Sequence, residues 1–373
     1  MEGLSEFHRA AQHPGEYLRD LKSKSGKRVI GYFCSYTPEE IIHAAGTHPA
    51  RLFGGDSDIN LADAHLQSYC CSLVRSGLEK ALRGNLEYLD GTVFPHTCDS
   101  IQRLSDIWRL NTSFEFFADV VLPVKLDTPA SQQYMRDVLE KFRRDLGKGL
   151  GVEITDADLS RSIRTYNRIR LALRNLYDLR AGDPSLMGGR DLYAVVKGAM
   201  VMDRDWLADR LEALVDETEA GRYRVDTAGK KRLLLVGGVC DHPDIYDILE
   251  QAGGTVVWDD LCTGSRYFNV PVSEDGDPMA ALADRYVRRP VCPAKHQSTT
   301  ARGELAVQLA KEKKADGAII LLLKFCDPHA FDYPYIKDFL DKAKVPNMLY
   351  EIEDQLPSEG QLATRFETFI QML

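Results

Sequence analysis

Short continuous apolar runs alternate with longer stretches of helical period in two parts of the chain. Runs at 28–34, 51–53, 89–94 and 114–122 read as strands in the first part, and runs at 232–236, 255–258, 318–323 and 347–352 in the second. Continuous rather than alternating apolar runs mark strands buried on both faces, as in parallel sheets. Helices fall between them. Thr37-Pro38-Glu39-Glu40 opens one, with Thr at the cap, Pro at the first helical position and acids where the positive helix end favours them. Gly46 closes it. Residues 62–82 read as mostly helical, with Cys70 and Cys71 inside the helix or at a break, and 101–110 as a further helix. In the second part helices are expected at 243–252, 279–286, 302–313, 335–343 and from Gly360. Strand–helix alternation of this kind implies parallel, doubly wound sheets joined by crossovers.

The stretch between the two parts lacks strand signals. Residues 131–146, 156–179, 191–202 and 206–216 are helical by period. The expected organisation is therefore an N-terminal helical segment (1–25), a first α/β domain (26–127), a helical region (128–229) and a second α/β domain (230–373).

Two of the strands deliver a cysteine at their carboxyl end. Ala318-Ile319-Ile320-Leu321-Leu322-Leu323 runs into Lys324-Phe325-Cys326-Asp327-Pro328, where proline cannot continue the ladder. Thr92-Val93-Phe94 runs into Pro95-His96-Thr97-Cys98-Asp99 and a helix. Open α/β sheets place their chemistry at such strand ends, so two of these cysteines from distant parts of one chain suggest a shared site.

Composition narrows the options. The chain has 373 residues, 44% of them hydrophobic and 28% charged, which suits a globular protein of two or three domains. A net charge of −9 argues against nucleic acid and against an anionic membrane surface. No apolar run approaches the roughly 18 residues that span a bilayer. Met1–His8 has neither a basic nor an apolar leader segment, so a cytoplasmic location is expected. Eight cysteines in a reducing compartment are not expected to form structural disulfides. No Cys-x-x-Cys pair is present, nor a dinucleotide fingerprint, a P-loop or a Gly-x-Ser-x-Gly elbow. His329 could serve Cys326 as the partner of a thiolate nucleophile, but three residues of spacing is a weak signal. A thiolate-held iron–sulfur cluster fits better, because strand-end loops supply both thiolates and backbone N–H groups. With three thiolates rather than four, one iron stays open to water or substrate.

Four motifs add a resemblance. Gly31-Tyr32-Phe33-Cys34-Ser35-Tyr36-Thr37-Pro38-Glu39-Glu40, Gln67-Ser68-Tyr69-Cys70-Cys71-Ser72-Leu73-Val74-Arg75, Phe94-Pro95-His96-Thr97-Cys98-Asp99 and Lys324-Phe325-Cys326-Asp327-Pro328 stand in the same order as in the benzoyl-CoA reductase / 2-hydroxyacyl-CoA dehydratase subunit family. The resemblance covers about residues 26–373. It implies two flavodoxin-like α/β domains with helical additions. It also implies an oxygen-sensitive [4Fe-4S] cluster on Cys71, Cys98 and Cys326, where Cys71 is preferred to Cys70 because Arg75 completes the family's Cys-x-x-x-Arg. The implied partners are an ATP-hydrolysing activator that donates electrons, a paralogous subunit or second copy of the chain, and an acyl-CoA substrate whose thioester carbonyl accepts one electron.

Within the family, Asp260-Leu261-Cys262-Thr263-Gly264-Ser265-Arg266 and Arg289-Pro290-Val291-Cys292-Pro293 resemble the double-cubane branch, whose [8Fe-9S] cluster needs six thiolates. Cys262 and Cys292, with either Cys240 or Cys34, could form the second set of three. Arg266 is a candidate for a CoA phosphate, since arginine suits bidentate phosphate contacts, or for a structural ion pair. A reductase subunit is the favoured expectation, with a dehydratase subunit as the alternative.

Overall fold

A computed structural model describes residues 2–54, 58–290, 292–353 and 356–373. The elements in the first part are α1 (Glu2–Gln12), α2 (Pro14–Ser25), β1 (Val29–Tyr32), α3 (Glu39–Ala44), β2 (His48–Arg51), α4 (Ser72–Leu82), β3 (Gly91–Pro95), α5 (Asp99–Asn111) and β4 (Phe116–Val120). Four helices follow: α6 (Pro129–Leu150), α7 (Asp156–Gly182), α8 (Gly189–Ala199) and α9 (Arg204–Glu219). The last part holds β5 (Lys231–Gly237), α10 (Asp244–Gln251), β6 (Gly254–Asp260), α11 (Pro278–Arg288), α12 (Ala301–Glu312), β7 (Gly317–Leu323), α13 (Asp327–Lys342), β8 (Asn347–Ile352) and α14 (Glu359–Gln371).

The strands form two four-stranded parallel sheets, ordered β2-β1-β3-β4 and β6-β5-β7-β8. Both follow the flavodoxin-like order, in which the chain switches direction between the first and third strands. The crevices beside β1/β3 and β5/β7 are therefore where such sheets place ligands. Every residue of β1, β3, β6 and β7 is buried, as their continuous apolar runs demand. Gly237 lets β5 and β7 approach closely: an added Cβ would sit 2.1 Å from the Leu321 carbonyl oxygen.

The helices between β4 and β5 do not make a core of their own. Leu139 and Phe142 of α6 pack in one apolar cluster with Ile30 and Val93 of the first sheet. Leu173 and Leu176 of α7 pack in another with Leu233 and Trp258 of the second. The expected helical region is thus a set of layers shared by both sheets. No helix among the described residues is long and apolar enough to cross a membrane.

Three elements differ from their sequence expectation. The second strand is His48–Arg51, upstream of the expected 51–53. It contains Pro49, which is tolerated because β2 is an edge strand. The expected helix at 62–82 is a single turn at Ala62–Ala64 and then α4, so Cys70 and Cys71 lie in the break. The helix expected at 335–343 starts at Asp327, with Pro328 in its first turn, where no N–H is needed, and Pro334 inside it.

Candidate functional site

Six of the eight cysteines gather at the carboxyl ends of the two sheets. Cys71 is the N-cap of α4, Cys98 of α5 and Cys326 of α13. None makes a side-chain cap bond, so each sulfur is left for other contacts beside a helix end that carries partial positive charge. Such ends favour thiolates over thiols. The three sulfurs sense one another. Burial pushes the Cys98 thiol up to about 12, and the charges of Cys71 and Cys34 add to the shift. Burial, then Cys71, then Cys98 and Cys292 push Cys326 well above its ordinary value. Burial raises the Cys70 thiol, which feels Ser100, Arg75 and Asp327 rather than the other thiols.

Cys34, Cys262 and Cys292 make a second group. Burial raises the Cys292 thiol to about 12, reinforced by Cys262 and Cys34 and opposed by Arg266. The two groups are contiguous, because Cys34 acts on Cys98 and Cys292 acts on Cys326. Cys240 stands apart in a buried setting. Its N–H donates to Thr263 Oγ1 at 3.1 Å, and its charged neighbours are Asp241, Asp259 and Lys197. Cys34, rather than Cys240, is the thiol brought together with Cys262 and Cys292. Val291 of that motif lies outside the described residues.

Cations surround the thiols. Arg266 is locked on Asp260 by bonds of 2.6 and 2.8 Å, while its Nη1 lies 3.5 Å from the Cys262 sulfur and 3.4 Å from His329 Nε2. Arg302 also donates to Asp260, at 2.8 Å, and through Nε to Asp332, at 2.5 Å. Although burial alone would raise it, the two arginines hold the Asp260 carboxyl well below the usual range. The network so formed turns its Arg266 end, and hence positive charge, toward Cys262. Arg266 is thus ion-paired with Asp260 and turns its remaining face to Cys262 and His329. Buried Lys295 donates to the carbonyls of His96 and Leu122, and its charge meets those of Cys34, Cys292 and Cys98. Sequence reading missed Lys295; its place two residues beyond the Cys292-Pro293 turn was the only signal for it.

His329 completes the surround. Its Nδ1 lies 3.2 Å from the Cys326 sulfur. Burial and the charges of Arg266 and Arg302 hold it neutral, well below the ordinary histidine pKa. Gly238 backs the ring, leaving 3.1 Å between an added Cβ and its Cε1. A neutral imidazole can orient the sulfur by one hydrogen bond but cannot supply a second positive charge. Cys98 packs against an apolar cluster that includes Phe33, Phe94 and Trp108, whose ring centroids lie 5.4–5.5 Å apart, whereas Cys34 packs against the cluster of Ile30 and Val93.

This donor set suits a cluster better than a single ion. No disulfide ties up any of the eight cysteines. Among the described residues no three His, Cys, Asp or Glu side chains are close enough to hold one metal ion. An iron–sulfur cluster spreads its thiolates over separate irons, and a bound cation deprotonates thiols that burial alone would keep neutral.

Residues 34–373 match the family described as 2-hydroxyglutaryl-CoA dehydratase, D-component. The chain belongs to that family. It is 28% identical over 370 residues to the (R)-phenyllactyl-CoA dehydratase beta subunit of Clostridium sporogenes, covering 99% of this chain and 98% of that protein. It is 27% identical over 380 residues to the beta subunit of (R)-2-hydroxyglutaryl-CoA dehydratase of Acidaminococcus fermentans, covering 99% and 98%. It is 28% identical over 346 residues to one of the subunits of the benzoyl-CoA reductase of Thauera aromatica, covering 90% of this chain and 87% of that protein. These relatives are enzyme subunits named for acyl-CoA substrates.

Proposed function

We propose that this chain is the iron–sulfur subunit of an enzyme that passes single low-potential electrons, received from a separate ATP-hydrolysing donor protein, to the thioester carbonyl of an acyl-CoA, in the manner of benzoyl-CoA reductase. The observation that carries this reading is that Cys71, Cys98 and Cys326, each at the N-cap of a different helix, lie near enough for their charges to act on one another. Bound there, a [4Fe-4S] cluster supplies one-electron reduction. The chain's own residues do the rest. The three helix ends, Arg266 and Lys295 offset the negative charge of the thiolates. His329 orients the Cys326 sulfur. The apolar cluster of Phe33, Phe94 and Trp108, against which Cys98 packs, keeps water from that side.

A double-cubane reductase is the second reading, supported by the contiguous group of six thiols, with Cys34 taking the sixth place. A dehydratase subunit, a lyase in which the electron is recycled, is supported by the dehydratase subunits that match 99% of this chain. Net consumption of reductant with turnover separates either reductase from the lyase.

The test is iron and acid-labile sulfide per chain on anaerobically purified protein. About four irons, lost in Cys98→Ala, supports a single cluster, and about eight, lost also in Cys292→Ala, supports the double cubane. Absence of iron after anaerobic reconstitution overturns all of these readings.

A further inference from the structure

Away from the thiols, two adjoining hollows of about 540 and 400 Å³ share His13, Pro14, Phe53, Lys80 and Asn85 in their walls. Together they form a cleft between the α1/α2 corner, the exit of β2, α4, α8 and the exit of β5. Its size is that of a small-molecule site. Its walls are rich in cations: Arg19, Arg51, Lys80, Arg190 and Lys197, against the carboxylates Glu16, Asp241 and Asp244. Arg190 is neutralised by Asp244 and Asp247, and Lys197 by Asp241. Lys80 donates to the Phe53 and Gly54 carbonyls.

Two cations make no ion pair among the described residues. Arg19 donates to the Asn85 carbonyl at 3.4 Å and lies over the Tyr88 ring. Arg51 is 2% exposed, donates to the Cys262 carbonyl at 3.1 Å, and has an Nε without a hydrogen-bond partner. A buried guanidinium is costly without a counter-charge, and an anion in the cleft would supply that charge. Arginine on two walls suits phosphate, which its planar fork meets with paired bonds.

We propose that this cleft binds an organic phosphate bearing a diphosphate group, held between Arg51 on one wall and Arg19 and Lys80 on another. The diphosphate belongs either to a free nucleotide or to the nucleotide end of a coenzyme A ester. Only the second source rests on the acyl-CoA reading above.

The experiment is calorimetric titration of anaerobically purified full-length protein with pyrophosphate, ADP and coenzyme A, with iron content measured on each sample. Saturable binding is expected, weakened at least tenfold in both Arg51→Gln and Arg19→Gln, with iron retained in Arg19→Gln. Coenzyme A binding much more tightly than ADP assigns the site to the ester; equal binding assigns it to a free nucleotide. The proposal fails if none of the three probes saturates, or if Arg19→Gln binds like the parent, whatever the iron content. A circular-dichroism spectrum and melting temperature within a few degrees of the parent's establish that each variant is folded. Arg161→Gln, outside the cleft walls, serves as the charge control. A parent protein that holds no iron after anaerobic reconstitution yet binds the phosphate probes would instead overturn the function proposed above and leave this site standing.

Discussion

His48 shows how one residue ties the fold to pH. It lies on β2, 1% exposed, with Nε2 donating to the Val201 carbonyl at 2.7 Å. Burial, then the nearby Arg204 charge, lowers its pKa to about 3, with Lys27 acting in the same direction and Asp203 against it. The unfolded chain takes up a proton near pH 6.5 that the folded protein refuses. Stability from this residue is thus fully present above pH 6.5 and is lost as pH falls toward 3. Between pH 7 and pH 5 the loss amounts to about 2 kcal/mol at 1.36 kcal/mol per pH unit below 6.5. His48→Gln keeps an N–H for Val201 but cannot take a proton. The difference in urea-unfolding free energy between pH 7 and pH 5 should therefore be about 2 kcal/mol smaller in the variant. Equal pH dependence in the two proteins would mean that His48 is protonated as easily folded as unfolded. Phe325, just before Cys326, shows strain of another kind. Its φ of +62° belongs to a region that side chains rarely adopt, and it turns the chain from β7 into α13.

At the scale of elements, the site depends on where helices begin rather than on which residues are conspicuous. Cys70 and Cys71 are neighbours, yet only Cys71 caps α4 and meets Cys98 and Cys326. Cys71→Ala should abolish or strongly reduce bound iron, whereas Cys70→Ala should keep it within about 20% of the parent, a margin set by ordinary assay scatter. Iron analysis with the visible absorption spectrum decides this, and loss in Cys70→Ala alone would reverse the assignment. The strands and helices carrying the cysteines were legible in the sequence because Ala318–Leu323 and Thr92–Phe94 are continuous apolar runs, the first ending at Lys324 and the second at Pro95. The break before α4 was less so, since Ala62, Asp63 and Ala64 carry ordinary helix-forming residues and no proline or glycine marks the exit. Pro49 and Pro334 stand where local rules do not expect proline. Local rules disfavour proline in strands and helix interiors; the edge position of β2 admits Pro49, whereas Pro334 lies inside α13 because that helix starts at Asp327. The choice between Cys34 and Cys240 could not be read locally at all. Each follows the first strand of its sheet, β1 and β5, and only the facing of one sheet's exits toward the other distinguishes them.

That facing is a property of the whole molecule, and the loop after β1 holds it. Ser35, Thr37 and Glu39 follow Cys34 directly, and residues from the later half grip each of them. Arg289 donates to the Ser35 carbonyl at 2.6 Å and to its Oγ at 3.1 Å, and also to the Arg266 carbonyl at 2.8 Å. Tyr286 donates to the Thr37 carbonyl at 2.8 Å. The buried Glu39 carboxylate accepts from Tyr166, Tyr267 and Arg204 at 3.1–3.3 Å. One loop is thus bonded to α7, α9, α11 and the exit of β6, so the two sheets should unfold together. Glu39→Gln tests this. It removes the charge that pairs the fully buried Arg204 and leaves a guanidinium uncompensated, at a cost of about 3–5 kcal/mol. Calorimetry should show one transition in the parent and one transition, several degrees lower, in the variant. The cysteines of both groups come from both halves, so metal bound there would stabilise only the joined state. Loading with iron should accordingly raise the melting temperature of the single transition in both proteins. Two resolved transitions in the parent, one unaffected by the substitution, would show that the halves fold independently and that the six thiols meet only as strongly as two separate domains happen to dock.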